Sequence, residues 1–274
     1  MSDTTRTDAG SNWVPWRVAP DSGFEVDDPS GRGSVEMVQV DDRHFVVRNA
    51  FRHSDRAVMK DLFALLVRNG MGESEARRAI DDARTFVPSE DNPTDLASIP
   101  RFMRWFEDPY GRHTLAAILH DELITDSANS GSLRSDALAD RFFREMMRTS
   151  GVPWLKRWIM WSAVALRTRW VAGGLRRLSL VVWLALSVVG ITTFVGSLGA
   201  LVFAWPWPVS QPVWTLVAAL ALIVVAAPLW GRQWMAGLIA AVGALWLVPA
   251  GAAAGLAGIV YLVLESVARA LRLR

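Results

Sequence analysis

The chain has 274 residues, of which 29 are basic and 27 acidic, and its formal net charge is +2. It has no cysteine, which excludes disulfides, thiolate metal sites and cysteine nucleophiles. Residues 1–145 carry 26 of the acidic and 18 of the basic side chains, whereas residues 146–274 carry 11 basic side chains and one acid, Glu265. This asymmetry indicates two physical environments and argues against a single nucleic-acid-binding surface.

The amino-terminal part of the chain is polar and lacks the apolar stretch of a secretory signal peptide. The changes in composition divide the sequence into five regions. We expect a disordered lead-in over residues 1–12, a cytoplasmic α+β domain over 13–153, a basic, tryptophan-rich juxtamembrane helix over 154–177, an all-α transmembrane region over 178–268 and a basic tail over 269–274.

Local patterns within the amino-terminal half predict a mixture of strands and helices. The alternating, β-branched segments SVEMVQV (34–40) and HFVVRNAF (44–51) flank an Asp-Asp turn and predict a hairpin. RAVMKDLFALLVRNG predicts a helix that ends at Gly70, Ser74 is the predicted N-cap of a second helix that runs to about Phe86, and TFVPS is a short candidate strand. Strands and helices do not alternate regularly, which predicts the α+β class rather than a doubly wound sheet.

Two further helices are predicted in RHTLAAILHDELI and SDALADRFFREMMRTSG, and Gly151 with Pro153 ends the second. They belong to a set of three sequence blocks that follow one another along the chain. These blocks are TDLASIPR (94–101), PYGRHTLAAILHD (109–121) and RSDALADRFFREMMRTSGVP (134–153).

The three blocks resemble an uncharacterised domain family that is common in tailed-phage genomes. Its motifs are Thr-Asp-x-Ala-Ser-Ile/Val-Pro-Arg, Gly-Arg-x-Thr-x-Ala-Ala and a His-Asp pair, and the resemblance covers roughly residues 20–170. It implies phage-related ancestry but no settled activity. An aromatic residue usually follows three positions after the aspartate of the pair, where this chain has Ile124. The motif positions in this sequence are Asp95, Ser98, Arg101, Arg112, His120, Asp121 and Asp140.

The motif positions favour a structural role but leave a metal site open. Asp95, His120, Asp121 and Asp140 offer carboxylate oxygens and an imidazole, which suit a divalent metal, and their order resembles the ligands of His-Asp metal phosphohydrolases. Adjacent helical residues point about 100° apart, so both members of the pair can face one ion only near a helix end, and we expect the helix to fray there.

The structural alternative is a polar cluster in the domain core. Asp95 would cap a turn, Arg101 or Arg112 would pair with Asp121, and His120 would hydrogen-bond the backbone. A ligand-binding pocket is the third possibility. The members of this predicted polar cluster are Asp95, Ser98, Arg101, Arg112, His120 and Asp121.

The carboxy-terminal half predicts a membrane region. Arg232 is the only charged side chain in the range Leu178–Leu264, and about 20 apolar residues suffice to cross a bilayer core. Pro249 in the middle of the last run favours a bend or a re-entrant turn, so that four crossings are favoured over three. The three apolar runs cover residues 178–205, 213–230 and 234–264.

Basic residues before the first run predict the orientation. The positive-inside rule places them, and with them the amino-terminal half, in the cytoplasm, with residues 205–211 on the outer side. Trp154, Trp158, Trp161 and Ala165 form one stripe of a basic helix that either lies among anionic lipid headgroups or packs on the soluble domain. The candidate membrane-interface residues are Trp154, Lys156, Arg157, Trp158, Trp161, Arg167, Arg169, Arg176, Arg177, Trp205 and Trp207.

Together these patterns predict a multi-pass protein of the cytoplasmic membrane that docks a phage-tail-like assembly, either a contractile injection system or a phage particle component. A membrane-tethered hydrolase that uses Asp95, His120, Asp121 and Asp140 with a divalent metal is the alternative, and a holin-like pore former is a weaker one. The lipid bilayer and a protein of the phage-tail type are the expected partners. No nucleic acid and no cofactor other than that metal are expected.

Overall fold

The computed structural model describes residues 17–18, 22–28, 32–41, 44–88, 94, 111–128, 133, 136–208 and 210–271. These residues form two compact units, the first up to Val152 and the second from Pro153 onward. The predicted lead-in over residues 1–12 lies outside the described residues, as do the motif positions Asp95, Ser98 and Arg101.

The first unit contains two small antiparallel sheets. The larger one has the order β1-β2-β5-β6, and the smaller one pairs β3 with β4. The predicted hairpin is confirmed, because Met37 pairs with Val47 and Gln39 with Phe45, but the end of its second segment belongs to the larger sheet. The strands are β1 (Arg17–Val18), β2 (Phe24–Val26), β3 (Met37–Gln39), β4 (Phe45–Val47), β5 (Phe51–His53) and β6 (Thr85–Phe86).

Four helices complete the first unit: α1 (Arg56–Arg68), α2 (Glu73–Arg84), α3 (Thr114–Ala128) and α4 (Asp136–Thr149). Asp55 caps α1, because its carboxylate accepts hydrogen bonds from the backbone N–H groups of Ala57 and Val58. The predicted N-cap of α2 is wrong, since Gly72 occupies that position and Ser74 lies inside the first turn. Gly151 adopts a φ of +68° after α4, in agreement with the predicted helix end.

Aromatic side chains bind the larger sheet to α4. Phe51 stacks on Phe86 with ring centroids 5.0 Å apart and meets Phe24 edge-on at 5.7 Å. His53 contacts the ring of Phe24 on one side and that of Phe142, from α4, on the other. Such pairs add to the burial of apolar surface. The core of the first unit therefore lies between this sheet and α4.

His53 is fully buried within this core. Its Nε2 lies 2.7 Å from Oγ1 of Thr149, and because that hydroxyl donates to the carbonyl of Met146, we assign the ring proton to Nε2. Nδ1 has no partner among the residues that the structure describes. Burial lowers the pKa of His53 to about 4 and outweighs the opposing effect of the nearby Asp55 carboxylate. His53 is therefore neutral in the folded protein at neutral pH.

The depressed pKa of His53 predicts acid sensitivity of the first unit. The unfolded chain takes up a proton at the ordinary pKa of 6.5 and the folded one only near 4. Stability is therefore retained above pH 6.5 and falls, by at most about 3 kcal/mol, as the pH drops from 6.5 to 4. We expect His53→Gln to flatten this fall in the free energy of unfolding, measured by urea-dependent pulse proteolysis. An equally steep fall in the variant between pH 6.5 and 5 would exclude His53 as the cause.

The second unit consists of helices: α5 (Trp154–Val171), α6 (Gly174–Phe203), α7 (Pro212–Ala226), a 3-10 segment (Ala227–Gln233) and α8 (Trp234–Ala270). Two helical stretches within it, Gly174–Phe203 and Pro212–Ala270, are long and apolar enough to cross a membrane. The second stretch joins α7, the 3-10 segment and α8. These two stretches indicate membrane association.

Helices α6 and α7 pack as an antiparallel pair. Near the connecting loop, Oγ of Ser197 lies 2.8 Å from Oγ1 of Thr215. Farther along, a methyl group on Gly190 would lie 3.2 Å from the Ile223 side chain, so these backbones approach closely. At the far end, Trp183 meets Trp230 of the 3-10 segment edge-on, with ring centroids 5.1 Å apart. Polar and small residues thus hold the two helices together where apolar side chains dominate.

Helix α8 passes through Pro249 without a break, so the re-entrant turn predicted there is wrong. A proline removes one backbone hydrogen bond, which a long helix tolerates. A re-entrant turn would leave several backbone groups without hydrogen bonds in apolar surroundings. The chain departs from helical geometry instead at Gly231, whose φ is +58° and ψ −126°. Glycine adopts this conformation at little cost. The turn between α7 and α8 therefore lies at Gly231.

Candidate functional site

His120 lies at the contact between α3 and α4. It is 3% exposed, and its Nε2 is 2.9 Å from Oδ1 of Asp140, which is fully buried. The Phe143 ring covers the imidazole at a centroid distance of 4.8 Å. The same helix α3 carries five buried apolar residues, so that much of it lies in the core of the first unit. These residues are Ala116, Ala117, Ile118, Leu119 and Leu123.

Asp121 lies on the other side of the same imidazole. Its Oδ1 is 4.0 Å from Nδ1 of His120, and its side chain is 44% exposed. The predicted fraying at this point is wrong, because α3 continues to Ala128. The two residues therefore point in different directions, as helical geometry requires: one into the core and the other toward solvent.

Asp140 uses one carboxylate oxygen for His120, while its Oδ2 has no partner among the described residues. A buried carboxylate is costly unless it is hydrogen-bonded, and the contact with His120 offsets part of that cost. The pair joins α3 to α4 through two residues that are 20 positions apart in the sequence. The His120–Asp140 pair therefore links α3 to α4, and it is also the candidate functional site.

Of the other motif positions, Arg112 lies apart from the His120–Asp140 pair, and Asp95, Ser98 and Arg101 are not among the residues that the structure describes. Nη1 of Arg112 donates to the carbonyl oxygen of Gly151 at 3.3 Å and thereby ties the start of α3 to the end of α4. No three His, Asp or Glu side chains of the described part of the chain are grouped to hold a metal ion. Among the motif positions, the structure places His120 next to Asp140 on one side and next to Asp121 on the other, but the three side chains do not form a metal-binding group.

Arg169, one of the residues predicted for the membrane interface, is buried within the second unit. It is only 9% exposed and donates to the carbonyl oxygens of Trp230 and Leu229, at 2.9 and 3.1 Å, and to Oγ of Ser179 at 2.9 Å. Its guanidinium also lies 5.4 Å from the centroid of the Trp230 ring. Arg169 therefore fastens α5 to α6 and to the 3-10 segment. The signal in the sequence was its spacing of four residues from Ala165, on the buried stripe of α5.

The remaining interface residues divide between buried and exposed positions. Trp161 is buried within the second unit, whereas Trp154 is 59% exposed. Arg177 donates to the carbonyl oxygen of Trp170 and lies over its ring, and Trp205 is exposed after α6. The half-buried members of the predicted set are Lys156, Arg157, Trp158 and Trp207. Arg167 and Arg176 are exposed.

Loss of the link between His120 and Asp140 should destabilise the first unit. Asp140→Ala leaves a buried imidazole without its partner, which costs about 2–4 kcal/mol, whereas Asp121→Asn changes a half-exposed group and should cost much less. Hydrogen exchange of the α3 and α4 amides in the full-length protein measures both effects. Equal protection in wild type and Asp140→Ala would show that the link contributes nothing.

Comparisons with known proteins identify one domain. Residues 74–164 match the family described as "Protein of unknown function (DUF1353)". No curated protein and no solved structure is significantly similar to the chain. The matched range is narrower than the range of roughly residues 20–170 that the three sequence blocks led us to expect. The phage-related ancestry stays a prediction. The chain therefore carries a DUF1353 domain that includes His120, Asp121 and Asp140.

Proposed function

We propose that this protein is a membrane-anchored docking protein. In this proposal α6, α7 and α8 cross the cytoplasmic membrane, and the first unit faces the cytoplasm. There it attaches a phage-tail-like assembly, such as a contractile injection system or a phage particle component, to the bilayer.

The observation that carries the proposal is the gathering of arginines at one end of the α6–α7 pair. Arg169 contacts Ser179 near the start of α6 and Trp230 near the end of α7. Arg176 and Arg232 lie within a few residues of those two contacts and are exposed. Basic residues next to apolar helices favour the cytoplasmic side, where they attract anionic headgroups. This arrangement supports a cytoplasmic location for α5 and for the unit that precedes it.

We propose three crossings, one each for α6, α7 and α8. The stretch Pro212–Ala270 has 59 residues and, as one helix, would be about 90 Å long against a bilayer core of about 30 Å. The turn at Gly231 divides it into α7, which runs antiparallel to α6, and α8. Helix α8 has 37 residues, about 55 Å, and so must tilt or extend beyond the bilayer. In this arrangement its end lies outside the cytoplasm, against the preference of the basic tail.

Single introduced cysteines test this topology, because the wild-type chain has none. With a membrane-impermeant maleimide on intact cells, we expect Ser210→Cys and Ala270→Cys to be labelled and Ser74→Cys to be labelled only after lysis. Labelling of Ser74→Cys in intact cells would reverse the orientation. Protection of Ala270→Cys in intact cells, followed by labelling after lysis, would require an even number of crossings.

The charge of the first unit supports a protein partner. Residues 1–145 have a net charge of −8, so the anionic inner leaflet repels them and leaves their surface available. The resemblance to a domain family of tailed phages suggests the kind of partner. The membrane helices would keep that partner near the bilayer at a high local concentration.

Membrane fractionation tests the docking proposal. Tail-like particles should sediment with membranes from cells that contain the full-length protein and stay soluble in cells that lack it. A chain reduced to residues 153–274 is the matched control, since it keeps the second unit without the proposed docking surface. Equal sedimentation of the particles with membranes in all three strains would disprove docking.

A further inference from the structure

A groove runs between α1 and α2 on the surface of the first unit, and its volume is about 470 Å³. The two helices are joined by a short connection over residues 69–72 and form an antiparallel hairpin. On both helices the lining residues recur with the spacing i, i+3, i+4 and i+7, from Arg56 to Phe63 on α1 and from Arg77 to Arg84 on α2. Each helix therefore presents one face to the groove.

The floor of the groove is apolar. Ile80 is buried, and Met59 and Phe63 are half-buried. The guanidinium of Arg77 lies 5.4 Å from the centroid of the Phe63 ring. This contact places a positive charge at the edge of the apolar floor.

The walls of the groove are positively charged. Four of the nine lining residues are basic and one, Asp81, is acidic, so their net charge is +3. Nε of Arg84 donates to Oδ1 of Asp81 at 2.9 Å, and the charges of these two side chains offset each other. The other three basic residues, Arg56, Lys60 and Arg77, are exposed. The groove is thus a basic surface in a half of the chain whose net charge is −8 over residues 1–145.

Arg77 also has an acidic neighbour outside the groove lining. Oε2 of Glu73 lies 3.9 Å from Nη2 of Arg77, and both side chains are 72% exposed. An exposed ion pair of this kind contributes little energy, because water screens both charges. A carboxylate of a ligand can therefore replace Glu73 at Arg77 at little cost.

We propose that this groove, the α1–α2 groove, binds an acidic amphipathic helix of a protein partner. The apolar side chains of that helix lie on the apolar floor, and its carboxylates pair with the three exposed cations. A helix satisfies its own backbone groups, which suits it to a groove whose walls are helices and offer no strand edge. The groove extends about 10 Å along α1, from Arg56 to Phe63, and this length matches two turns of a helix.

A peptide fits this surface better than a bilayer does. The apolar floor is narrow and includes the buried Ile80, so that a flat lipid surface does not reach it. The net charge of residues 1–145 also repels an anionic leaflet, whereas the local charge of the groove attracts a short acidic segment. The inference rests on the docking function only for the choice of a protein as the partner.

Peptide titration of the purified full-length protein in a non-ionic detergent tests the α1–α2 groove. The probe is a fluorescein-labelled helical peptide of Glu-Leu-Ala-Glu repeats, and its binding is followed by fluorescence anisotropy at low salt, with protein-free detergent as the blank. We expect Arg77→Glu to weaken binding roughly tenfold, because an attractive charge pair becomes a repulsive one. Lys60→Glu should act similarly from the opposite wall.

Arg78→Glu is the matched control. Arg78 is exposed and adjacent to Arg77 on α2 but does not line the groove, and its substitution changes the net charge of the protein by the same amount. Neighbouring helical residues point about 100° apart, so this variant should bind the peptide as wild type does. Hydrogen exchange of the α1 and α2 amides verifies that each variant is folded.

Three results would overturn the proposal. The first is the absence of peptide binding by folded wild type, and the second is equal affinity of folded Arg77→Glu and Arg78→Glu. The third is displacement of the labelled peptide by glycerophosphoserine, a soluble lipid headgroup, more readily than by unlabelled peptide, which would assign the groove to lipid. Tail-like particles do not enter this experiment, so a failure of peptide binding is distinguishable from a failure of docking, which membrane fractionation tests.

Discussion

The first unit depends on the buried contact between His120 and Asp140. The contact joins α3 to α4, and α4 in turn carries Phe142, which packs against His53 of the larger sheet. Just after α4, Oγ of Ser150 donates to the carbonyl oxygen of Ser22 at 2.6 Å. A displacement of α4 would therefore disturb the helical layer and the sheet together. A buried ionisable pair is a weak source of stability in itself, but the loss of one partner is costly, and this cost fixes the register of the two helices.

The second unit uses the same principle with Arg169. Its guanidinium satisfies carbonyl oxygens of the 3-10 segment, at the place where the turn at Gly231 interrupts the helical hydrogen bonds. An arginine stays charged at every physiological pH and offers several donors in one plane, which suits it to a group of unsatisfied carbonyls. Trp230, whose carbonyl it binds, also packs on Trp183 of α6. One side chain of α5 thus helps to stabilise the segment between α7 and α8.

The sequence predicted those parts of the fold that leave a strong local signal. The β3–β4 hairpin, helix α1 and the ends of α4 follow from periodicity and from turn residues. Strands β1 and β2 were missed because RV and FEV do not lie within longer alternating segments of the kind that revealed β3 and β4. The cap of α2 was misassigned because glycine and serine both favour that position. The re-entrant turn at Pro249 was predicted wrongly, because a proline within a long helix such as α8 need not end it, and the local pattern around Pro249 does not reveal this.

For the candidate site, the sequence grouped His120, Asp121 and Asp140, which lie close together in the structure, but it did not indicate which of these side chains are buried. Helical geometry indicates that the side chains of His120 and Asp121 point in different directions, but it does not indicate which side chain is buried in the core. That choice depends on α4, whose Asp140 approaches from a distant part of the chain. The role of Arg169 was hidden for the same reason, since its carbonyl partners lie about 60 residues away.

The order of the two residues in the His-Asp pair has a physical reason. Position 120 faces the buried carboxylate of Asp140, so that an aspartate there would place two carboxylates together and force one of them to take up a proton. A lysine would donate to Asp140 but has no acceptor to offer on its other side. Neutral imidazole alone among these groups donates on one side and accepts on the other. Histidine at position 120 therefore donates to one oxygen of Asp140 and keeps an acceptor on its other side, and the reversed order would lose both properties.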